Sequence, residues 1–120
     1  MISKPLLIEV LGDENYQKRF KLIEPFIDGE EFYYRYDAES QDYITMSVYK
    51  FTYKCKLWAY ERGFIIESGF HKNAINASHT RCFGWVSETI DIENTFNGTT
   101  EFDVVVKSCE WIKQEVLNDK

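Results

Sequence analysis

The sequence is poor in the residues that break, staple or ligate a chain: 2 Pro, 6 Gly, 3 Cys and 2 His among 120. So little Pro and Gly argues against a long linker or disordered tail. The three cysteines, Cys55, Cys82 and Cys109, are odd in number and contain no close pair, which excludes a disulfide framework. No apolar run approaches the roughly 20 residues of a membrane span. The opening residues Met1 to Glu9 lack the long apolar core and cleavage site of a secretion signal. The expectation is a cytoplasmic chain, in which the sequons at Asn76 and Asn97 stay unmodified. The scattered glycines form no phosphate-binding loop, and Ser78 before His79 has no glycine-flanked elbow, so neither a nucleotide site nor a serine triad is expected.

What the chain has is aromatic and acidic. Aromatics make up 17% of it, with 9 Phe, 8 Tyr and 3 Trp, a composition that suits pleated, half-buried surfaces. A hydrophobic share of 44% over one domain's length, residues 1–120, suffices for a core, with about two-thirds of the unfolded surface buried on folding. The net charge of −6 is uneven. Residues 1–42 carry five basic against ten acidic side chains, residues 43–83 six against two, and residues 84–120 three against eight. Acidic ends repel nucleic acid and anionic membranes at long range and attract a basic protein.

The clearest element is at the end. Phe102, Val105, Val106, Cys109, Ile112 and Val116 recur at three- and four-residue steps, which predicts a helix over Thr99 to Leu117. Thr100 is its expected N-cap, Glu101 and Asp103 suit the positive end of the macrodipole, and Asn118 is a stop. Val104 and Trp111 lie on nearly the opposite side, a second patch that wants a cover of its own. Upstream, strands are expected at Leu6–Val10, at Tyr16–Ile23 ended by Pro25, and at Glu31–Asp37 after the Asp28-Gly29 turn. Further strands are expected at Phe64–Glu67, Arg81–Val86 and Glu88–Glu93, with a turn over Asn94–Gly98. Residues 43–60 fit either period. Alternation of Tyr49, Phe51, Tyr53, Cys55 and Leu57 with Lys50, Thr52, Lys54 and Lys56 favours a strand, because the helical reading strands Met46, Tyr53 and Leu57 opposite the core. The expected fold is α+β: one antiparallel sheet of about five to seven strands, open to strong curvature, covered by one C-terminal helix.

No segment carries a specific catalytic motif. His71, His79 and Cys82 are the one neighbourhood with metal-ligand chemistry, but no second close pair completes a zinc set, and no metal or other cofactor is expected. The same histidines, with Lys72, Arg81 or Glu67, are the residue types of a metal-free hydrolase without its spacing. Lys50, Lys54 and Lys56 with Trp58 would present a basic face to a nucleic acid or phospho-ligand, an alternative that the acidic ends disfavour. Carboxylates cluster at Asp28, Glu30 and Glu31, at Asp37, Glu39 and Asp42, and at Glu88, Asp91 and Glu93, each near aromatics such as Tyr33 and Trp85. Acid mixed with Tyr and Trp makes a binding surface for a basic partner.

Several strands followed by a tryptophan-bearing C-terminal helix also resemble the pleckstrin-homology pattern, on Lys18-Arg19-Phe20-Lys21 and Glu110-Trp111-Ile112. That resemblance implies phosphoinositide headgroups at the first hairpin, where this chain instead carries the acidic turn Gly12-Asp13-Glu14-Asn15. The functional expectation is a small acidic binding protein, not an enzyme. It would occupy a basic surface of another macromolecule as an inhibitor, in the manner of immunity proteins or phage counter-defence proteins. Its expected contacts are Glu30, Glu31, Tyr33, Asp37, Glu39, Asp42, Trp85, Glu88, Asp91, Glu93 and Trp111. Nucleic acid and membrane are not expected partners, and the oligomeric state is open.

Overall fold

The computed structural model describes residues 1–12, 20–72, 80–88 and 92–117, and for residues 71, 72, 80 and 81 the backbone alone. In chain order these form α1 (Lys4–Leu11), β1 (Phe20–Asp28), β2 (Glu31–Asp37), β3 (Asp42–Ser47), α2 (Val48–Glu61), β4 (Ile65–Lys72), β5 (Thr80–Glu88), β6 (Ile92–Gly98) and α3 (Glu101–Trp111). A π-helical turn over Ile112–Val116 extends α3. The strands pair as two antiparallel three-stranded meanders, β1-β2-β3 and β4-β5-β6.

The class is α+β, as the patterning indicates, but the single five-to-seven-stranded sheet under one helix is corrected, among the described residues, to two sheets and three helices. The cause is Ser47. It ends β3 and also caps α2, its hydroxyl accepting from the Lys50 N–H at 3.2 Å. The 14-residue helix that follows carries the chain out of the first sheet before β4 begins the second. Residues 48–61 are therefore helix, not strand. Phe51, Cys55, Trp58 and Ala59 form its buried face, and the Tyr53 and Leu57 side chains that counted against a helix stand in solvent. Met46 belongs to β3, so it never had to fit the helical period.

The expected strand at Leu6–Val10 is likewise a helix, α1. Its signals are local: Ser3 caps it through the Leu6 N–H, Pro5 sits in its first turn, and Gly12 ends it at φ +73° with its N–H on the Ile8 carbonyl. The apolar run Leu6-Leu7-Ile8 was too short for periodicity to separate helix from strand. β1 does not stop at Pro25 but runs through it to Asp28, with a register shift between Leu22 and Phe26. β1 is an edge strand, where a missing N–H is tolerated. Asn94–Gly98 is not a turn but most of β6. With two meanders and α2 between them, the pleckstrin-homology-like arrangement of successive strands closed by one helix does not hold either.

The core joins both sheets to the helices. Phe32 of β2, Phe51 of α2 and Phe102 of α3 stack with ring centroids 4.3, 5.5 and 5.9 Å apart. The cap expected at Thr100 is present, its hydroxyl accepting from the Asp103 N–H at 3.1 Å. α3 is buried on two sides, against α2 and against the second sheet. A Cβ added at Gly84 would come within 3.0 Å of Ser108 Oγ and 3.2 Å of the Val104 carbonyl oxygen, so this glycine lets the helix axis drop onto β5. The second patch on α3 is thereby covered from within the chain: Val104 is fully buried and Trp111, half-buried, meets Phe96 of β6 at 6.1 Å. The Cα trace spans 51 × 40 × 17 Å. Layers pack about 10 Å apart, so that thickness holds one helical layer on one sheet layer. Among the described residues no helix lies over the outer faces of the sheets.

Candidate functional site

The thiols are withheld from solvent. Cys55, Cys82 and Cys109 are all buried free thiols. Cys109 Sγ donates to the Cys55 carbonyl at 3.4 Å, and the Cys55 side chain beside it, together with burial, pushes the Cys109 thiol pKa up. Burial, with Glu101 and Asp103 nearby, raises that of Cys82 as well. Such thiols are poor nucleophiles and poor metal ligands. Among the described residues no group of three or more His, Cys, Asp or Glu could hold a metal ion. His71 lies in β4, where only its backbone is described, and His79 lies outside the described residues. None of the described helices is long and apolar enough to cross a membrane.

The lysine ladder disappears with the strand that would have carried it. On α2, Lys50 and Lys54 fall on one flank and Lys56 on the other, where its Nζ lies 3.7 Å from the Glu101 carboxylate. A continuous basic face is not formed by these three residues.

The acidic and aromatic candidates divide between the two sheets. The outer face of the first sheet carries the densest group. Phe26 and Tyr33 lie directly opposite each other across β1 and β2, stacked at 4.6 Å and 7°. Tyr43 of β3 sets its edge against both, at 5.9 and 5.6 Å, and Tyr36 meets Tyr43 at 5.3 Å. Simple alternation would put Tyr36 with Phe32 and Tyr34 on the inner face. A bulge between Tyr33 and Arg35 adds one residue, so beyond it the faces exchange: Tyr36 joins Tyr33 outside and Asp37 turns inward.

Two steps along from this cluster, on the same face, Asp28 and Glu31 are directly opposed, and Glu30 projects from the turn between them. Like charges facing each other across a ladder are unfavourable. Glu31 accepts a hydrogen bond from Thr45 Oγ1 at 3.0 Å, but none of the three carboxylates makes an ion pair among the described residues. Among the described residues, aromatic rings without a cover therefore sit beside negative charge without a counter-charge.

The other candidates are placed differently. Asp37 is buried, and its Oδ1 accepts from the Glu39 N–H at 3.0 Å, while Asp42 accepts from the Tyr43 N–H at 2.8 Å. Both shape the β2–β3 turn, a β2 length of roughly 20 Å from Glu31. Trp85 stands half-buried on the outer face of the second sheet, between Glu67 and Thr95 on the neighbouring strands, with Glu93 diagonal to it. Glu88 ends β5 on the opposite face, and Asp91 lies outside the described residues. The structure thus brings Glu30, Glu31 and Tyr33 together, and separately Trp85 and Glu93, but does not gather the whole set.

Sequence reasoning missed Phe26 and Tyr43, which complete the first cluster, and the outward stripe of α2. Tyr49, Tyr53, Leu57 and Tyr60 recur at steps of four, four and three, the helical period that would have revealed them had the segment been read as helix. Grooves of about 410 and 320 Å³ flank this stripe, the first passing between Tyr49 and Phe70, the second between Tyr60 and Ile65. The chain matches no protein-family model, no curated protein and no solved structure.

Proposed function

We propose that this chain is a non-enzymatic binding domain that docks a basic surface of another macromolecule onto the outer face of its first sheet, and acts as an inhibitor by occupying that surface. The observation that carries this reading is the placement of Phe26 and Tyr33, stacked on each other, and Tyr43, edge-on to both, beside the opposed carboxylates Asp28 and Glu31. An aromatic patch excludes water and supplies affinity, while flanking acids steer a cationic partner and fix its register. The burial of all three thiols supports a binding role over a chemical one. Arginine is the natural counterpart, since a guanidinium both stacks on tyrosine and pairs with carboxylate.

Affinity capture from the native host tests this with three baits: wild type, Tyr33→Ala and Glu31→Lys. The expected result is a partner with a basic surface that wild type retains and both variants lose, with retention falling as salt rises. A partner held equally by all three baits, or capture of nucleic acid alone, would overturn the reading.

A further inference from the structure

The outward face of α2 is a second surface, separate from the first sheet's outer face because Phe51 packs the helix against the sheet's inner side. Its apolar content is high. Tyr49, Tyr53, Tyr60 and Phe70 are 64%, 65%, 69% and 74% exposed. At about 200 Å² per aromatic residue, roughly 550 Å² is left in water by these four alone. Leu57 and Ile65, both exposed, bring the total toward the about 800 Å² that each partner contributes to a standard interface. Monomers rarely leave so large a contiguous patch bare.

Charge along α2 decides what covers it. Lys50 stands at the N-terminal end and Glu61 at the C-terminal end of the same flank of the tyrosine stripe, and neither makes an ion pair among the described residues. When two copies of one helix pack antiparallel about a two-fold axis, each flank faces its own counterpart in reverse order. An axis near Cys55 then sets Tyr49 against Tyr60 of the second copy, Tyr53 against Leu57, and Lys50 against Glu61, all in one register. The same arrangement brings Phe70, beside Tyr49, toward the Ile65 end of the other copy. A parallel two-fold pairing would instead turn this flank toward the opposite flank of the second copy, which carries Lys56, and leave Lys50 and Glu61 unpaired with each other.

We propose that the chain is a two-fold dimer held by antiparallel packing of α2 on α2 of a second copy, with the tyrosine stripe at its centre and reciprocal Lys50–Glu61 pairs at its rim. This does not depend on the reading of the first sheet. It would make the domain bivalent, with the two acidic aromatic faces turned away from the dimer axis.

Sedimentation velocity from low to high micromolar concentration tests it. Wild type is expected at twice the 14.3 kDa chain mass. Tyr53→Arg should sediment as a monomer, and Tyr60→Arg serves as the second variant if Tyr53→Arg does not fold. Lys50→Glu or Glu61→Lys alone should weaken the dimer by about tenfold, and the two together should restore it to within about threefold of wild type. A wild-type chain that stays monomeric, a dimer that both arginine variants leave intact, or charge swaps that fail to rescue each other would overturn the proposal.

Discussion

Two adjacent residues of one strand, Phe32 and Tyr33, meet opposite fates. Phe32 points inward and is fully buried against Phe51 and Phe102, so three elements distant in sequence depend on one ring. Tyr33 points outward into a cluster of comparable ring geometry that none of the described helices covers. Ring contact alone therefore does not make a core. What separates the two clusters is whether a second layer closes over the rings, and a plate 17 Å thick supplies that layer on one side only.

The largest effect is expected at Phe32. Phe32→Ala removes the shared ring and leaves a cavity, which should cost about 3–5 kcal/mol and lower the melting temperature by roughly 15 °C or more. Tyr33→Ala removes a ring of similar size from the outer cluster and should cost about 1 kcal/mol, the scale of its stacking and cross-strand contacts. Denaturant titration of the two variants measures the ratio. If Tyr33→Ala proves as damaging as Phe32→Ala, the outer cluster is part of the core and not a surface waiting for a partner.

A middle-sized effect is expected at Gly84, which seats the helix that delivers Phe102. In Gly84→Val the new Cβ presses on Ser108 Oγ and on the Val104 carbonyl and Cβ, and two methyls are added beyond that contact. Overpacking of this kind costs about 1–3 kcal/mol. The tyrosine contacts of the outer face should survive it, so partner capture should persist in a variant whose thermal stability has fallen.

These elements differed in how far the sequence disclosed them. α3 was legible because its cap, its acidic first turn and its apolar stripe agree, and each is encoded within a few residues. The turn at Asp28-Gly29 and the full extent of β2 were legible for the same reason. α2 was not, because tyrosine is apolar enough to simulate the buried half of an alternating strand yet tolerates solvent on a helix. Its true signal was Ser47, a cap, followed by Phe51, Cys55, Trp58 and Ala59. With α2 misread, the tyrosine stripe could not be seen. The exchange of faces at Tyr34 was also hidden, since a bulge is set by pairing with β3 and leaves no periodic trace. Of the candidate site, the association of Glu30, Glu31 and Tyr33 was readable from their neighbourhood in the chain. Phe26 and Tyr43 join them only through the register of the sheet.

The smallest effect is expected where α1 clips the helical layer together. Ser3 Oγ donates to Glu110 Oε1 at 2.7 Å, and the Glu9 carboxylate pairs with Lys113 and with Arg62, the latter at 3.5 Å. The Arg62 guanidinium in turn lies 4.5 Å over the Trp58 ring. Partial burial alone would raise the Glu9 pKa, but the hydrogen bond and charge of Lys113, with help from Arg62 and the nearby Trp58 indole, hold it below its ordinary value of 4.5. A carboxylate more acidic when folded than when unfolded stabilises the fold above its unfolded pKa, and that contribution fades as pH falls through the folded value. Stability should therefore dip below pH 4.5 in part through Glu9. Glu9→Gln should be slightly less stable than wild type at neutral pH and indistinguishable from it at the acid end, where the wild-type carboxyl is itself protonated. Because the pair is a third exposed, added salt should shrink the neutral-pH difference. Urea titrations of both proteins across this range give the curve, and parallel curves at all pH values would show that the Glu9 pairs contribute nothing to holding α1. The outer cluster of the first sheet contains no part of this clip, so its capacity to hold a partner should be the same in Glu9→Gln as in wild type.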